Sequence, residues 1–461
     1  MTRIGLRHIV VAAALLRIVF ALTGYLHANC DAHVFFQGDT TSYLEPAREL
    51  VTHLRFHNDE GPETYRTPGY CILLAPAVMV GHLEFAIVLQ FLLSLVTLYL
   101  VYRLAQLMFE DEPIALLAAA LYALEPLSIF YVSQLYSETM FTTLFMAWLY
   151  LLSRYLKRER GGDLILSGAA LTASIYVRPI VYYLPAMVLA GLLLREARSR
   201  RRAWKLFVMQ LALFVIVTMG PVIVWQVRNK METGFGGFSG VSSSNMYLYQ
   251  AASVLAEQQH VSFAEMQNRL GHGGPERYFR VHPEQATWPL ARRYQYMLDE
   301  GSRVLREHPF MYARIHLAGM AMVVFSSGIN AILKFLRVYP AKRSGSPGLA
   351  DWGMLPQARF MLAHPTVLIA NALLLPIEIA YLLLAVAGLS DREVLRKPEV
   401  WVIILVFAYY VVMSGGPGGE SRFRVPLMPM ICVLAARGIR RIEVRRRERG
   451  YSSLSALPDC N

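Results

Sequence analysis

Apolar runs of roughly span length alternate with short charged interruptions along most of this chain, and two longer polar intervals break the rhythm. The first run follows Arg3 and Arg7 and continues to about Leu26. It lacks a small-residue cleavage site and leads straight into polar sequence, so it predicts an uncleaved first span entering from the cytoplasm. The next apolar run, 68–80, is shorter than the roughly 20 residues a span requires. It predicts a helix lying in the outer interface, begun by Pro68 at a first-turn position. Further spans are expected over 85–108, 114–130, 140–155, 164–178, 182–195 and 204–225. The polar, aromatic and Gly-rich stretch that follows predicts a second external loop, in which 288–305 repeats Leu290, Tyr294, Met297, Leu298 and Leu305 as an amphipathic, interfacial helix.

Four more runs, at 310–332, 366–389, 400–413 and 425–436, pose a parity problem. Four crossings that start outside end outside, yet Arg437, Arg440, Arg441 and Arg445 to Arg447 argue for a cytoplasmic end. Either one segment is re-entrant or another span lies around 334–361. The expected fold class is an all-α, polytopic membrane bundle of about ten to twelve transmembrane helices. It forms a single membrane domain (1–461) with interfacial helices in two large external loops, 28–84 and 228–308, and a basic cytoplasmic tail, 437–461.

Composition agrees with a membrane class: of 461 residues 55% are hydrophobic and only 17% charged, with mean hydropathy +0.37. The formal net charge of +12 would suit a nucleic-acid binder. Its arginines instead cluster in runs beside apolar segments, at 157–160, 195–205 and 437–449, as the positive-inside bias produces, and no compact basic domain exists. Cys30, Cys71, Cys432 and Cys460 have neither metal spacing nor a disulfide framework. Cys30 and Cys71 either bridge on the outer face or remain free thiols.

The candidate chemistry sits in the first polar interval and at the ends of spans. Asp39 opens an amphipathic segment containing Tyr43, and is either an N-cap or a functional carboxylate. Glu138, between apolar runs, is either a helix-start acid or a site residue of the kind that an acid near hydrocarbon marks by default. Arg66, Arg178, Arg422 and Arg424 each stand near an expected outer end. A planar guanidinium fork matches two phosphate oxygens, so four of them suggest an anionic ligand; the alternative is snorkelling to headgroups. Arg17, inside the first span, is assigned no role, and His272 and His282 read as ordinary loop residues.

Gly38-Asp39-Thr40-Thr41-Ser42-Tyr43, Arg66-Thr67-Pro68-Gly69-Tyr70, Ser137-Glu138-Thr139, Arg178-Pro179 and Glu420-Ser421-Arg422-Phe423-Arg424-Val425-Pro426 together resemble the GT-C membrane glycosyltransferases. The nearest branch is family 39, with its protein O-mannosyltransferases and lipid A aminoarabinose transferases. The likeness covers about residues 5–190 and returns near 415–440. It implies a polyprenyl-phosphate-linked sugar donor, a lipid, glycan or protein acceptor, inversion at the anomeric carbon, and an active site on the periplasmic, extracytoplasmic face of the inner membrane. It also implies Asp39 as general base, and places Glu138 where relatives often carry aspartate. The chemistry agrees, with Arg66, Arg178, Arg422 and Arg424 as candidates to bind the donor phosphate and hold its growing charge; Glu420 is placed in the substrate pocket, and Tyr43 and Tyr65 either line that pocket or belong to an interfacial aromatic belt. No spacing demands a metal, so none is expected as a cofactor, a divalent ion being the alternative. The rival classes are a transporter or flippase of a lipid-linked saccharide, a lipid-linked glycan polymerase, and a non-enzymatic scaffold. A transporter should carry polar residues along its spans and show two related halves, and neither is visible.

Overall fold

In hydrocarbon a backbone amide has no water to bond, so each apolar run closes its own hydrogen bonds as a helix. The structure, a computed structural model, describes residues 5–199, 204–339 and 361–454. Helix α1 (Leu6–His27) leads into the first polar interval, which holds α2 (Thr40–His53), the short antiparallel pair β1 (His57–Asn58) and β2 (Gly61–Pro62), and α3 (Pro68–Val80). α4 (Glu84–Phe109) follows, then α5 (Glu112–Ala123) and α6 (Pro126–Val132), α7 (Glu138–Arg158), α8 (Gly161–Val177), α9 (Leu184–Ser199) and α10 (Trp204–Thr233). The second polar interval folds as α11 (Val241–Asn245), a π-helical segment (Met246–Ala251), α12 (Ala252–Gln258), α13 (Phe263–Arg269), α14 (Pro275–Val281) and α15 (Leu290–Glu307). The last part contains α16 (Pro309–Phe325), α17 (Ile329–Phe335), α18 (Pro365–Leu389), α19 (Arg392–Leu395), α20 (Pro398–Met413), a 3-10 helix (Ser421–Leu427) and α21 (Met428–Leu454).

The chain is thus an all-α bundle of the polytopic membrane type. By length and apolarity five of its described helices could cross a membrane, or up to seven if each bent pair is one span. That is fewer than the expected ten to twelve. The difference lies in α8 and α20, which are apolar but shorter, in α7, whose buried face carries Thr139, Thr142, Thr143 and Ser153, and in α21, where the apolar run 425–436 continues into the arginine-rich segment. α3 packs its start against α8, where a Cβ on Gly69 would lie 2.6 Å from the Tyr176 carbonyl oxygen, and leaves Ile72, Met79 and Val80 exposed. α15 buries Tyr294, Met297, Gly301 and Val304 against the π-helical segment of its own loop, while Leu298 remains exposed.

Charge divides the two ends of the bundle. Lys157 pairs with Glu110, Arg195 with Glu159 at 3.0 Å and Arg437 with Asp391 at 2.6 Å, so the described parts of all three basic runs gather at one end. Asp39 and its neighbours occupy the other. The α16–α17 pair, bent by 60°, keeps both its ends at the Asp39 end. Arg314 pairs with Glu257 of the second loop, while Phe335 stacks on Phe20 of α1 and lies 6.4 Å from Phe35 of the first loop. This run is therefore bent between two elements of the Asp39 end, the arrangement of the re-entrant alternative. The competing span around 334–361 lies mostly outside the described residues, as does Cys460.

Each bend frees backbone groups that the apolar interior cannot solvate, and a buried charge meets them. At the 57° bend between α5 and α6, Pro126 ends one helix and Glu125 caps the next, accepting from the amides of Leu127 (3.0 Å) and Ser128 (2.5 Å). Arg17 reaches the Ala123 carbonyl at 3.2 Å from α1. At the α16–α17 bend, Arg424 donates to the carbonyls of Val324 (2.7 Å) and Ser326 (2.9 Å) and pairs with Glu378 of α18 at 3.0 Å. α18 and α21 meet closely enough that a Cβ on Gly438 would fall 1.9 Å from the Leu384 carbonyl oxygen. Replacing Glu378 by Ala strands the Arg424 charge, so the E378A variant should unfold at a free energy about 3–5 kcal/mol lower. Thermal or denaturant unfolding in detergent measures this, with a Glu378→Leu/Arg424→Met double variant expected nearer to wild type.

Candidate active site

Asp39 occupies the position before α2, where a capping aspartate would turn back onto the helix amides. Its side chain makes no such bond. Oδ1 accepts from Arg66 Nη2 and Oδ2 from Arg422 Nη2, both at 2.9 Å. Glu138, the first residue of α7, is likewise not spent on its own helix: it is fully buried, with Oε1 2.5 Å from Arg178 Nη1 and 2.6 Å from Arg422 Nε. Arg422 therefore joins the first polar interval to α7. Arg178 arrives from the end of α8 and lies over the Phe423 ring at 5.2 Å. Side chains from four distant segments, 39–66, 138, 178 and 420–422, converge here.

Local structure fixes each participant. Glu63, nearly fully buried, accepts from the backbone amides of Tyr65 and Arg66, the latter at 2.8 Å, and so sets the direction in which Arg66 leaves the chain. The Arg66 guanidinium donates to Ser42 Oγ at 2.9 Å and to the Tyr43 hydroxyl at 3.2 Å, and stacks over Tyr43 at 4.4 Å and Tyr65 at 5.0 Å. Arg422 stacks over Tyr136 at 4.3 Å. The second loop locks onto the first: Ser239 Oγ donates to the Tyr65 carbonyl at 2.6 Å, Gly240 N to that of Thr64 at 2.8 Å, and Arg228 to those of Glu63 and Phe56.

Asp39, Glu138, Arg66, Arg178, Arg422, Tyr43, Tyr65 and Glu420 are thus brought together, Glu420 lying 3.9 Å from Arg422 Nε. Arg424 is not among them. It stands two positions along the same 3-10 helix, points into the core, is 1% exposed and is occupied by Glu378 and the α16 carbonyls. Ser42, Glu63 and Tyr136 belong to the site and carried no individual signal beyond their adjacency to Tyr43, Tyr65 and Glu138. Cys30 and Cys71 are both free thiols. His272 bonds the Tyr249 hydroxyl at 3.0 Å and His282 that of Tyr247 at 3.4 Å. No group of three or more His, Cys, Asp or Glu among the described residues is arranged to hold a metal ion. A separate cleft of about 430 Å³ lies at the opposite end, lined by Lys157, Arg195, Arg396 and Lys397, and shares no residue with this cluster.

Burial works against an ionised Asp39, but the Arg422 and Arg66 guanidiniums outweigh it and hold the carboxyl well below the usual carboxylate range. A lowered folded value means that Asp39 contributes stability above its unfolded value near about 4 and loses it as pH falls towards the folded one. The difference in melting temperature between wild type and Asp39→Asn should be constant from pH 7 to pH 5 and shrink below about pH 4. Thermal unfolding of both proteins across that range checks it.

No curated protein matches this chain. Residues 67–225, from just before α3 into α10, match the family model described as dolichyl-phosphate-mannose-protein mannosyltransferase, a stretch that includes Glu138 and Arg178 and stops short of Asp39 on one side and Arg422 on the other. The match covers about a third of the chain, and over that stretch the chain is similar to this mannosyltransferase family.

Proposed function

We propose that the protein transfers a sugar from a polyprenyl-phosphate carrier to a hydroxyl acceptor, with inversion at the anomeric carbon, at the extracytoplasmic surface of the cell's inner membrane. The observation that carries this reading is the convergence of Arg66, Arg178 and Arg422 on Asp39 and Glu138 at one end of a membrane bundle. Charge must grow on the departing phosphate as the glycosidic bond breaks, and fixed guanidiniums stabilise it without reorganising. Arg66 and Arg422 suit this role because each is held by a carboxylate and an aromatic ring, yet retains some exposure, 12% and 14%. Asp39 holds the Arg66 and Arg422 guanidiniums side by side, one on each oxygen, and Glu138 anchors the Arg178–Arg422 side. Arg424 has no place in this scheme, because its donors are committed to the core. The gathering of basic runs at the opposite end supports the orientation, since such runs favour the cytoplasm.

Purified protein in nanodiscs, incubated with a panel of radiolabelled polyprenyl-phosphate sugars, should release sugar from at least one donor. Release from none, alongside saturable binding of the lipid, would replace this reading with that of a transporter. Arg66→Ala and Arg422→Ala should each lower kcat/KM by about 10²–10³-fold, with Lys a poor substitute because it lacks the fork. Steady-state kinetics against donor concentration provides the check. Cysteines introduced at Glu60 and Arg396 should be labelled from opposite sides of intact membranes, Glu60 from outside.

A further inference from the structure

The cleft of about 430 Å³ at the end opposite Asp39 falls within the roughly 300–1,000 Å³ of small-molecule sites, and the chemistry proposed above makes no use of it. Four parts of the fold build it. Met108 at the end of α4, Leu156 in the last turn of α7 and Pro398 at the start of α20 give it an apolar wall. Around them stand four cations: Lys157 from α7, Arg195 from α9, and Arg396 and Lys397 from the link between α19 and α20. Two acids, Glu393 and Glu399, share the lining. Glu399 occupies the first turn of α20, where the helix dipole itself stabilises a carboxylate.

The four cations are not equivalent. Lys157 donates to Glu110 and to the Leu107 carbonyl, and Arg195 to Glu159 at 3.0 Å, so both are anchored. Arg396 and Lys397 form no side-chain hydrogen bond or ion pair among the described residues, although two acids line the same cleft. Glu110, already bonded to Lys157, is the acid that Lys397 stabilises from farther off. The positive-inside bias accounts for basic residues at this end of the bundle. It does not account for their convergence from three segments on one cleft, where mutual repulsion favours an anion between them. A guanidinium fork next to an ammonium suits the oxygens of a phosphate.

Apolar surface continues from the cleft along both flanking helices. Leu193 and Leu194 precede Arg195 on α9, Trp401 and Leu405 follow Glu399 on α20, and all four are exposed. The Trp401 indole donates to the Leu395 carbonyl at 2.8 Å, which holds the ring beside the link that carries Arg396. Tryptophan so placed marks the level at which hydrocarbon meets headgroups. A soluble anion would use the cations alone, whereas a lipid uses this apolar surface as well.

We propose that the cleft binds the phosphate of an anionic phospholipid, with Arg396 and Lys397 as its direct ligands. Lys157 and Arg195 flank the headgroup, and the acyl chains lie against α9 and α20. Basic pockets between helices on the cytoplasmic side recognise lipid headgroups by this combination of charge and position. The inference stands independently of the transferase reading.

The test uses full-length protein stripped of lipid in a neutral detergent, titrated with phosphatidylglycerol or phosphatidylcholine, with bound lipid counted by native mass spectrometry. Wild type should hold one phosphatidylglycerol about 10-fold or more tighter than phosphatidylcholine. An Arg396→Gln/Lys397→Gln variant should lose about 30-fold of that affinity, and Arg396→Lys, which keeps the charge but not the fork, about fivefold or less. An Arg445→Gln/Arg446→Gln variant removes the same charge from exposed positions of α21 outside the cleft, and should stay within about threefold of wild type. Excess inorganic phosphate should leave the lipid bound. Equal retention of the two lipids, or equal loss in the two Gln double variants, overturns the proposal. Displacement of the lipid by inorganic phosphate also overturns it and identifies a site for a soluble anion.

Discussion

A single guanidinium, that of Arg422, bridges a carboxylate from the first polar interval and another at the start of α7, and the active end of the bundle is organised around it. Charges with so little exposure persist only where each has an opposite partner, since the desolvation of an unpaired one exceeds what packing returns. Arg66 and Arg178 extend the same alternation outward, so six ionisable groups from four segments form one connected arrangement. Its carboxylates are unequal: two are consumed in holding arginines and one, Glu420, faces water. That inequality sets the two carboxylates that hold arginines apart from the one that does not.

The 3-10 helix Ser421–Leu427 carries the constraint from core to site. Its repeat of about three residues sends Arg422 and Arg424 in different directions. Arg424 fastens the segment to Glu378 and to the carbonyls freed at the α16–α17 bend, and Arg422 is thereby presented to Asp39 and Glu138. Glu125 and Arg17 perform the matching task at the α5–α6 bend. Both bends would be unstable in an apolar interior without these charges, and the breaks leave room for irregular backbone close to the site.

The separation of charge between the two ends fits a protein that handles a lipid-borne anion. Clustered basic residues at one end pair with acids while partly exposed, whereas Arg66, Arg178 and Arg422 at the other end are more deeply buried against their carboxylates. A rigid cation array at a membrane surface supplies the electrostatic stabilisation that a departing phosphate needs, and the interlocking of the two loops through Ser239, Gly240 and Arg228 keeps it rigid.

The sequence by itself determined the helical membrane class and most helix positions, because long apolar runs have no other way to satisfy their backbone: 85–108 became Glu84–Phe109, and 366–389 became Pro365–Leu389. It also determined which residues were worth examining, since an acid or an arginine beside hydrocarbon is costly wherever it occurs. Only the tertiary structure decided that Asp39 and Glu138 are not helix caps, that Arg424 faces the core while Arg422 faces the site, and that the run 310–332 bends back. Those outcomes depend on which distant segment supplies the opposite charge. Local spacing fixes the direction of a side chain along its own helix, but pairing across more than a hundred residues is set by how the whole bundle packs.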